Sequence, residues 1–360
     1  MSEPTPRPGI SAMPAYVAGK APVARPGLTT YKLSSNENPY PPLPGVIEAA
    51  VAAAAEMNRY PDAGNTDLYA ALAATLDVPV ADLALGTGAV ALIYQLVAAY
   101  AGPGDEVLYA WRSFEAYPIA TLAAGATSVQ VPLTADARHD LASMAAAVTA
   151  RTRVVLVCTP NNPTGPALTQ AELDDFLARI PADVVVVVDE AYQEFVRGAD
   201  PVDGIATYRR HRNVVLLRTF SKAYGLAGFR VGYAVAPAPI AATLRAVGLP
   251  FGVSVVAQAA AVASLRRRDE LLARVERLVT ERDRVLAGCR AAGWRLPEAQ
   301  GNFVWFDFAG APDAMARFVA AAEEAGIVVR ALGDGVRASI GEVEANSRLI
   351  EVARRLPSSR

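Results

Sequence analysis

The 360-residue chain has few of the residues from which metal centres and disulfide frameworks are built. It contains only two histidines and two cysteines, Cys158 and Cys289, which lie far apart and form no CxxC pair. Structural zinc sites need clustered Cys and His ligands, and small secreted scaffolds need several paired cysteines. We therefore expect no metal site, two reduced thiols and a cytoplasmic protein.

A surplus of positive charge and long apolar runs are also missing. The formal net charge is −2, which gives no electrostatic reason to expect binding to nucleic acid or to an anionic membrane. No apolar run approaches the roughly 20 residues of a membrane span, and residues 1–14 hold no apolar segment typical of a signal peptide. With 52% hydrophobic residues, the composition predicts a well-buried core rather than disorder.

Lysine is the scarce basic residue. Of 34 lysines and arginines only Lys20, Lys32 and Lys222 are lysines. Lys222 follows a strand-like segment, residues 213–217, and lies in RTFSKAYGLAGFRVG (residues 218–232), whose glycines are typical of tight turns. Arginine keeps its proton in proteins, so a lysine at this place favours Schiff-base chemistry. A lysine on a surface loop is the alternative.

From about residue 83 the chain alternates short apolar segments with helical ones. Strands are predicted at residues 84–85, 106–109, 128–131, 154–157, 184–188, 214–217 and 231–236. Helices are predicted at residues 45–58, 65–76, 90–100, 114–124, 141–150 and 171–180, the last with a capping box from Thr169 to Glu172. Continuous Val and Leu runs between helices indicate a mostly parallel sheet covered on both faces.

After Pro250 the pattern changes. A long charged helical region, residues 255–292, is followed by a strand, a helix, two short strands and a final helix. The sequence thus predicts an α/β protein with a large domain, residues 46–250. A smaller α+β domain would combine the Pro-rich arm, residues 1–45, with residues 251–360.

Several strand ends carry polar or glycine-rich groups. Asp189 ends VVVVVD, where open α/β sheets bind ligands. A Walker B strand would need a GxxxxGK[ST] loop, which is missing; a helix cap is the other alternative. The GTGAVA turn, residues 86–91, fits an anion site at a helix N-terminus. It does not complete a dinucleotide fingerprint, because the next strand ends without an acid.

Two further strand ends supply an amide and an aromatic ring. TPNNPTG, residues 159–165, holds Asn161 and Asn162 between prolines. WRSFEAY, residues 111–117, offers Phe114, which as a lone aromatic would more often belong to a core. An anion cradle, an aromatic ring, an amide, an acid and a lysine together match a ring with a phosphate, an aldehyde, a phenolic oxygen and a basic nitrogen. That ring is pyridoxal 5′-phosphate (PLP).

The order of motifs resembles the fold-type I PLP-dependent aminotransferases, in the branch of histidinol-phosphate and aromatic amino-acid aminotransferases. The resemblance runs from LSSNENPY through RYPD, NNPTG, VDEAYQEF and RTFSKAYGLAGFRVGY to GNF and VRASIG, nearly the whole chain. It implies that family's fold, a large domain with a mostly parallel seven-stranded sheet. It also implies PLP as cofactor, amino acid and 2-oxo acid substrates, and a homodimer with shared active sites.

The resemblance also implies roles for individual residues. Lys222 would bond covalently to the cofactor, Asp189 would pair with the ring nitrogen, and Asn162 and Tyr192 would bond the phenolic oxygen. Phe114 would stack on the ring. The phosphate would be held by Gly88, Ala89, Val90, Thr219, Ser221, Arg230 and, from the partner subunit, Tyr60. The substrate would be bound by Arg337, which clamps its carboxylate, and by Tyr16, Asn36, Asn302 and Arg330.

Two departures bear on the substrate. The histidinol-phosphate branch usually has a Gly-Ser-Asp-Glu-like run where this chain has Gly88-Ala89-Val90-Ala91, and a Pro-Thr-Tyr-like turn where it has Arg112-Ser113-Phe114. We therefore predict an aromatic amino acid as donor and 2-oxoglutarate as acceptor. Histidinol phosphate as donor is the first alternative, and a decarboxylase of the same fold the second. A PLP-sensing regulator would need a DNA-binding module, for which there is no spare length.

Overall fold

The computed structural model describes residues 4–7, 9–11 and 13–356. This part of the chain forms the strands β1 (Tyr31–Lys32), β2 (Leu83–Gly86), β3 (Glu106–Trp111), β4 (Thr127–Pro132), β5 (Thr152–Cys158), β6 (Val185–Asp189), β7 (Val214–Thr219), β8 (Gly232–Val235), β9 (Phe303–Asp307), β10 (Ile327–Val328), β11 (Arg330–Ala331) and β12 (Gly335–Ser339).

The same residues form the helices α1 (Val46–Ala54), α2 (Thr66–Leu76), α3 (Ala89–Tyr100), α4 (Ala116–Ala124), α5 (Leu141–Ala146), α6 (Gln170–Leu177), α7 (Gly204–Arg210), α8 (Ala238–Val247), α9 (Val255–Leu265), α10 (Arg268–Ala291), α11 (Pro312–Glu324) and α12 (Val343–Arg355). The capping box predicted at the start of α6 is present: Thr169 and Glu172 bond each other's backbone N–H groups.

A seven-stranded sheet with the order β2-β8-β7-β6-β5-β3-β4 forms the centre of the molecule. All neighbours are parallel except β8, which runs antiparallel to both β2 and β7. Along β6, Val186 and Val188 face one apolar cluster while Val185 and Val187 face another. Burial on both faces explains the uninterrupted valine run, because each alternate side chain meets a layer of helices. The prediction of a mostly parallel seven-stranded sheet is confirmed.

Five of these strands end at one edge of the sheet and place the candidate site. Strands β2, β3, β5, β6 and β7 all run in the same direction, so their carboxyl ends lie together. Asp189 is the last residue of β6, and the loops that follow the other four strands include Gly88, Phe114, Asn162 and Lys222.

The C-terminal part differs from the sequence prediction in one respect. The helical region at residues 255–292 consists of two helices, α9 and α10, separated at Arg266 and Arg267. No Gly or Pro marks this break. Helix α9 packs against α1 and α2, whereas α10 packs against α12, so the chain turns between two sets of neighbours. The turn is a fully exposed corner, residues 266–270.

Two small sheets complete the architecture. Strands β11, β12 and β9 form an antiparallel sheet, and β1 pairs in parallel with β10. The β1–β10 pairing joins the N-terminal segment to the C-terminal part of the chain, the two parts that the sequence assigns to one smaller domain. The domain boundaries at residues 45/46 and 250/251 stay a prediction. No helix in the described ranges is long and apolar enough to cross a membrane.

Candidate active site

A cavity of about 400 Å³ opens at the edge where the parallel strands end. It brings together most of the site residues predicted from the sequence, although they are spread over more than 300 positions. Those that line it are Tyr16, Ala89, Val90, Phe114, Asn162, Asp189, Tyr192, Thr219, Ser221, Lys222, Arg230, Arg330 and Arg337. We call this cavity the lysine cleft.

Lys222 lies in the turn between β7 and β8. Its Nζ donates a hydrogen bond of 3.1 Å to the carbonyl of Ser35, and Gly225, with a positive φ of 69°, closes the turn. Burial, together with the nearby Arg337 and Arg230, lowers the pKa of Lys222 to about 7 against the opposing effect of Glu37 and Asp189. A large fraction of this amine is therefore unprotonated at neutral pH, as a nucleophile or general base requires.

Asp189, the last residue of β6, is only 4% exposed. The Tyr117 hydroxyl donates to Oδ2 at 2.7 Å, and the backbone N–H of Ala191 donates to Oδ1 at 3.2 Å. Burial raises the pKa of Asp189 to about 6, while these two hydrogen bonds and Lys222 oppose the rise. The carboxylate is thus a buried anion held in one orientation, suited to pair with a cationic ligand.

The N-terminus of α3 forms an anion cradle. Helix α3 begins after Gly88 without a side-chain cap, so its first N–H groups are available to a ligand. A Cβ at Gly88 would lie 2.6 Å from Nη2 of Arg230, which shows how closely the guanidinium approaches this turn. Arg230 also donates to the Ser221 hydroxyl at 3.2 Å. Backbone N–H groups, a guanidinium and a hydroxyl around one point are typical of a phosphate site.

Arg337 on β12 points an incompletely bonded guanidinium into the lysine cleft. Its Nη1 donates to Oδ1 of Asn162 at 2.5 Å and its Nη2 to the carbonyl of Ser34 at 3.0 Å. Its Nε is buried and has no partner within the described part of the chain. Buried donors are normally bonded, so this N–H is available to a carboxylate ligand, which guanidinium groups bind through two parallel hydrogen bonds.

Asn36 and Asn302 lie one layer behind the cleft surface. The side-chain amide of Asn36 donates to the Tyr192 hydroxyl at 3.1 Å, and the Asn302 amide donates to the Asn36 carbonyl at 3.2 Å. These contacts fix Tyr192 in the cleft wall. The two asparagines of TPNNPTG also separate: Asn162 faces the cleft, whereas Asn161 accepts from Ser113 at 2.7 Å and is buried.

Tyr60 is the predicted site residue that lies farthest from this arrangement. Its side chain is 82% exposed and stacks on Phe251 with ring centroids 4.5 Å apart. It does not line the lysine cleft of its own chain.

A larger cavity, of about 830 Å³, lies elsewhere on the molecule. All three tryptophans line it, Trp111, Trp294 and Trp305, but none of the predicted site residues does. Cavity volume alone therefore does not locate the chemistry. The convergence of the lysine, the acid, the anion cradle and the incompletely bonded guanidinium makes the lysine cleft the candidate site.

Comparison with known proteins agrees with this geometry. Residues 29–352 match the family model for aminotransferase class I and II. This match covers most of the chain. The protein belongs to the class I and II aminotransferases.

The similar proteins include aromatic amino acid aminotransferases and a histidinol-phosphate aminotransferase. An aromatic amino acid aminotransferase of Streptomyces coelicolor is 56% identical over 98% of both chains. Another, of Rhodococcus opacus, is 52% identical and covers 97% of this chain and 95% of its own. Among solved structures, histidinol-phosphate aminotransferase from Sinorhizobium meliloti, in complex with pyridoxal-5′-phosphate, has a TM-score of 0.87. It is 28% identical over 99% of each chain.

The family implies that this aminotransferase depends on PLP, and the lysine cleft fits that cofactor. The cradle at α3 suits one phosphate, the buried Asp189 suits a protonated ring nitrogen, and Lys222 suits covalent attachment. The Nε of Arg337, buried and without a partner in the described residues, is a separate donor suited to a carboxylate.

Two residues of the site were not predicted from the sequence. Tyr117 does not line the cleft but donates to Asp189 from behind it; it lies three positions after Phe114, whose ring is 5.7 Å from its own, and this short spacing could have suggested that the two lie together. Glu115 forms an ion pair with Arg330, 215 positions away. No local pattern predicts a contact of that kind.

Proposed function

We propose that this aminotransferase moves the amino group of phenylalanine, tyrosine or tryptophan to 2-oxoglutarate, as a cytoplasmic enzyme. The single observation that carries the choice of donor is the pairing of two arginines. Histidinol phosphate would need a second dianion site beside Arg337, which only Arg330 and Arg112 could provide. Arg330 is paired with Glu115, and Arg112, paired with Asp334 at 2.6 Å, does not line the lysine cleft. Displacement of Glu115 would therefore free one guanidinium, which balances the single charge of a carboxylate but not the nearly two charges of a phosphate.

The remaining walls of the lysine cleft suit a flat apolar side chain. Phe114, Ile93 and the ring of Tyr16 line it, and burying apolar surface there contributes about 25 cal/mol per Å². The names of the relatives that are 48–56% identical support the same donor class.

For the cofactor, we infer that Ser221, Thr219, Arg230 and the first N–H groups of α3 hold the phosphate. Asp189 would pair with the ring nitrogen, Asn162 and Tyr192 would contact the phenolic oxygen, and Phe114 would cover one ring face. When bound, PLP supplies a conjugated ring that can take up the electron pair left at the substrate Cα.

The chain's own residues would then perform the proton chemistry. Arg337 would fix the substrate carboxylate through two parallel hydrogen bonds and so orient the Cα–H bond. The amine of Lys222, with a pKa of about 7, would remove the substrate's Cα proton as general base and deliver it as general acid to the C4′ position of the bound cofactor. Asp189 would keep the ring nitrogen protonated throughout.

We expect kcat/KM for phenylalanine and tyrosine to exceed that for histidinol phosphate, with 2-oxoglutarate as acceptor. A missing dianion partner in a buried site costs about 10²-fold or more. Steady-state kinetics with the three donors measures the ratio, and detection of the oxo acid rather than CO₂ separates transamination from decarboxylation. A preference for histidinol phosphate would mean that the enzyme is a histidinol-phosphate aminotransferase. The roles inferred for the cofactor-binding residues would not change.

We also infer a homodimer in which Tyr60 reaches the phosphate of the partner subunit. Large apolar side chains are exposed in two segments that meet where Tyr60 stacks on Phe251, namely at Ile47, Val51, Met57, Tyr60, Val247, Leu249 and Phe251. This surface borders the cradle, since a Cβ at Gly252 would lie 3.7 Å from Cγ2 of Thr87. Exposed apolar surface of this kind marks an interface.

The shared site predicts complementation between two defective subunits. A Lys222→Ala subunit mixed with a Tyr60→Ala subunit should yield heterodimers with one intact site each. Statistical exchange would restore about a quarter of wild-type activity in a closed two-fold dimer. The measurement is turnover after subunit exchange, with exchange verified by mass spectrometry. Met57→Ala, on the same surface, is the control: this variant should be active without a partner variant. Verified heterodimers without recovered activity would contradict a site shared through Tyr60.

A further inference from the structure

The lysine cleft contains more positive charge than one substrate carboxylate and one phosphate require. Its basic side chains are Lys32, Lys222, Arg230, Arg330 and Arg337. In the roles proposed above, Lys222 reacts, Arg230 holds the phosphate and Arg337 holds the substrate carboxylate. Lys32 is paired with Glu37 at 2.9 Å. This leaves Arg330 as the cation nearest to a substrate side chain.

Arg330 stands beside Arg337 in the small antiparallel sheet. The two are direct partners across β11 and β12, and their side chains are only 6% and 7% exposed. Like charges directly opposite each other on a sheet repel. Because Arg330 lies beside Arg337 and lines the same cleft, a substrate whose carboxylate binds Arg337 would place its side chain near Arg330.

Glu115 neutralises Arg330 from the other side of its guanidinium, without lining the lysine cleft itself. It directly precedes α4, in the part of the chain that carries Phe114, and forms an ion pair with the Arg330 guanidinium. The ring of Tyr16 covers the same guanidinium at 5.6 Å. Glu115 keeps 29% of its side chain exposed, so its carboxylate can turn to solvent when another anion takes its place at Arg330.

We propose that Glu115 is a specificity-determining residue that acts as a counter-ion for Arg330. It pairs with Arg330 while an apolar side chain occupies the cleft. The distal carboxylate of a dianionic acceptor displaces it. The proposal rests on the proposed function, in which one cleft serves a neutral aromatic donor and then 2-oxoglutarate.

The two substrates make opposite demands on Arg330. An aromatic ring gives the guanidinium no hydrogen bond, and a buried cation without a partner is strongly destabilising. Glu115 removes that cost. A dianion offers a carboxylate of its own, which can take over the donors of Arg330, and Glu115 then moves toward water. The ion pair lets a single site accept side chains of different charge.

Unreactive substrate analogues test this directly. We expect Glu115→Gln, in the PLP-loaded enzyme, to tighten binding of glutarate relative to 3-phenylpropionate by about tenfold or more, the effect of one charge-assisted contact. Dissociation constants for both acids come from titration calorimetry. In an Arg330→Gln background the same substitution should change the ratio little, because its effect operates through Arg330.

Asp334→Asn is the matched control. It removes the acid of another long-range ion pair, Arg112 with Asp334, whose arginine does not line the lysine cleft. For Asp334→Asn, the ratio of the two dissociation constants should match the wild-type ratio. The same is expected for Glu115→Asp, which keeps the negative charge at position 115.

Three outcomes overturn a claim, and they are distinguishable. Wild-type enzyme that fails to bind 3-phenylpropionate overturns the proposed function. Wild-type enzyme that binds both acids, with an unchanged ratio in Glu115→Gln, overturns the role of Glu115 alone. An equal shift in Asp334→Asn assigns the effect to loss of an ion pair in general and also overturns it.

Discussion

Lys222→Arg is expected to reduce turnover by at least about 10⁴-fold, the upper end of what one general acid–base contributes, while the protein still folds. Arginine keeps the positive charge and can donate to the Ser35 carbonyl, the hydrogen-bond partner of Lys222. It cannot be deprotonated, so it can neither attach the cofactor covalently nor remove the Cα proton. Turnover, the visible absorbance of the bound cofactor and thermal unfolding measure the three parts of the expectation.

Lys32→Arg provides the matched control in the same cleft. Lys32 lines the cavity and pairs with Glu37, a contact that arginine can replace. This variant should keep most of the wild-type turnover and absorbance. If Lys222→Arg also kept them, Lys222 would not be the reactive lysine.

The features that could be predicted from the sequence are those with local signals. Most strands of the seven-stranded sheet are short apolar segments that alternate with helices, and strand polarity then places Asp189, Lys222 and the turn at Gly88 at one edge. This explains why the predicted residues Asn162, Tyr192 and Arg230 meet in one cavity. The sequence indicates the roles of these residues because few other residue types could perform them.

The features that could not be predicted depend on tertiary packing. The break between α9 and α10 follows from their different neighbours. The pairing of Glu115 with Arg330 spans 215 positions. From the sequence alone, Arg330 fits a substrate ligand and a solvated residue at a strand end equally well. Partners at such distances are set by the fold and not by the local sequence.

The cleft also contains groups that disfavour the fold. Burial shifts the pKa of Lys222 down to about 7 and that of Asp189 up to about 6, which shows that the charged form of each is disfavoured in the folded protein. Residues kept for chemistry at the expense of stability are common at active sites. Removing one of them should affect activity and stability in opposite directions.

Asp189→Asn is expected to reduce turnover by about 10²- to 10³-fold, the range for losing one preorganised electrostatic partner. An amide cannot hold the ring nitrogen in its protonated form as a carboxylate does. The Tyr117 hydroxyl can still donate to the amide oxygen, so of the two hydrogen bonds to Asp189 only the longer one, from the Ala191 N–H, is lost. Steady-state kinetics at saturating cofactor measures the loss.

The same substitution should stabilise the cofactor-free protein in a pH-dependent way. Below pH 4 the Asp189 carboxyl is protonated in both folded and unfolded chains. Between pH 4 and 6 the unfolded chain releases this proton while the folded protein, with a pKa of about 6, retains it. Wild-type stability therefore falls as pH rises through this window, by roughly 3 kcal/mol for a shift of about two pKa units. The Asp189→Asn variant, which has no carboxyl group at this position, shows no such loss.

Urea unfolding of the cofactor-free proteins between pH 4 and 8 tests the argument. The difference in unfolding free energy, Asp189→Asn minus wild type, should increase from pH 4 to 6 and stay constant above. Tyr117→Phe is the companion variant: it removes a hydrogen bond that lowers the Asp189 pKa, so its stability should keep falling above pH 6. Parallel profiles for wild type and Asp189→Asn would mean that the carboxylate is solvated in the free protein. The cleft would then offer no preorganised partner for a ring nitrogen.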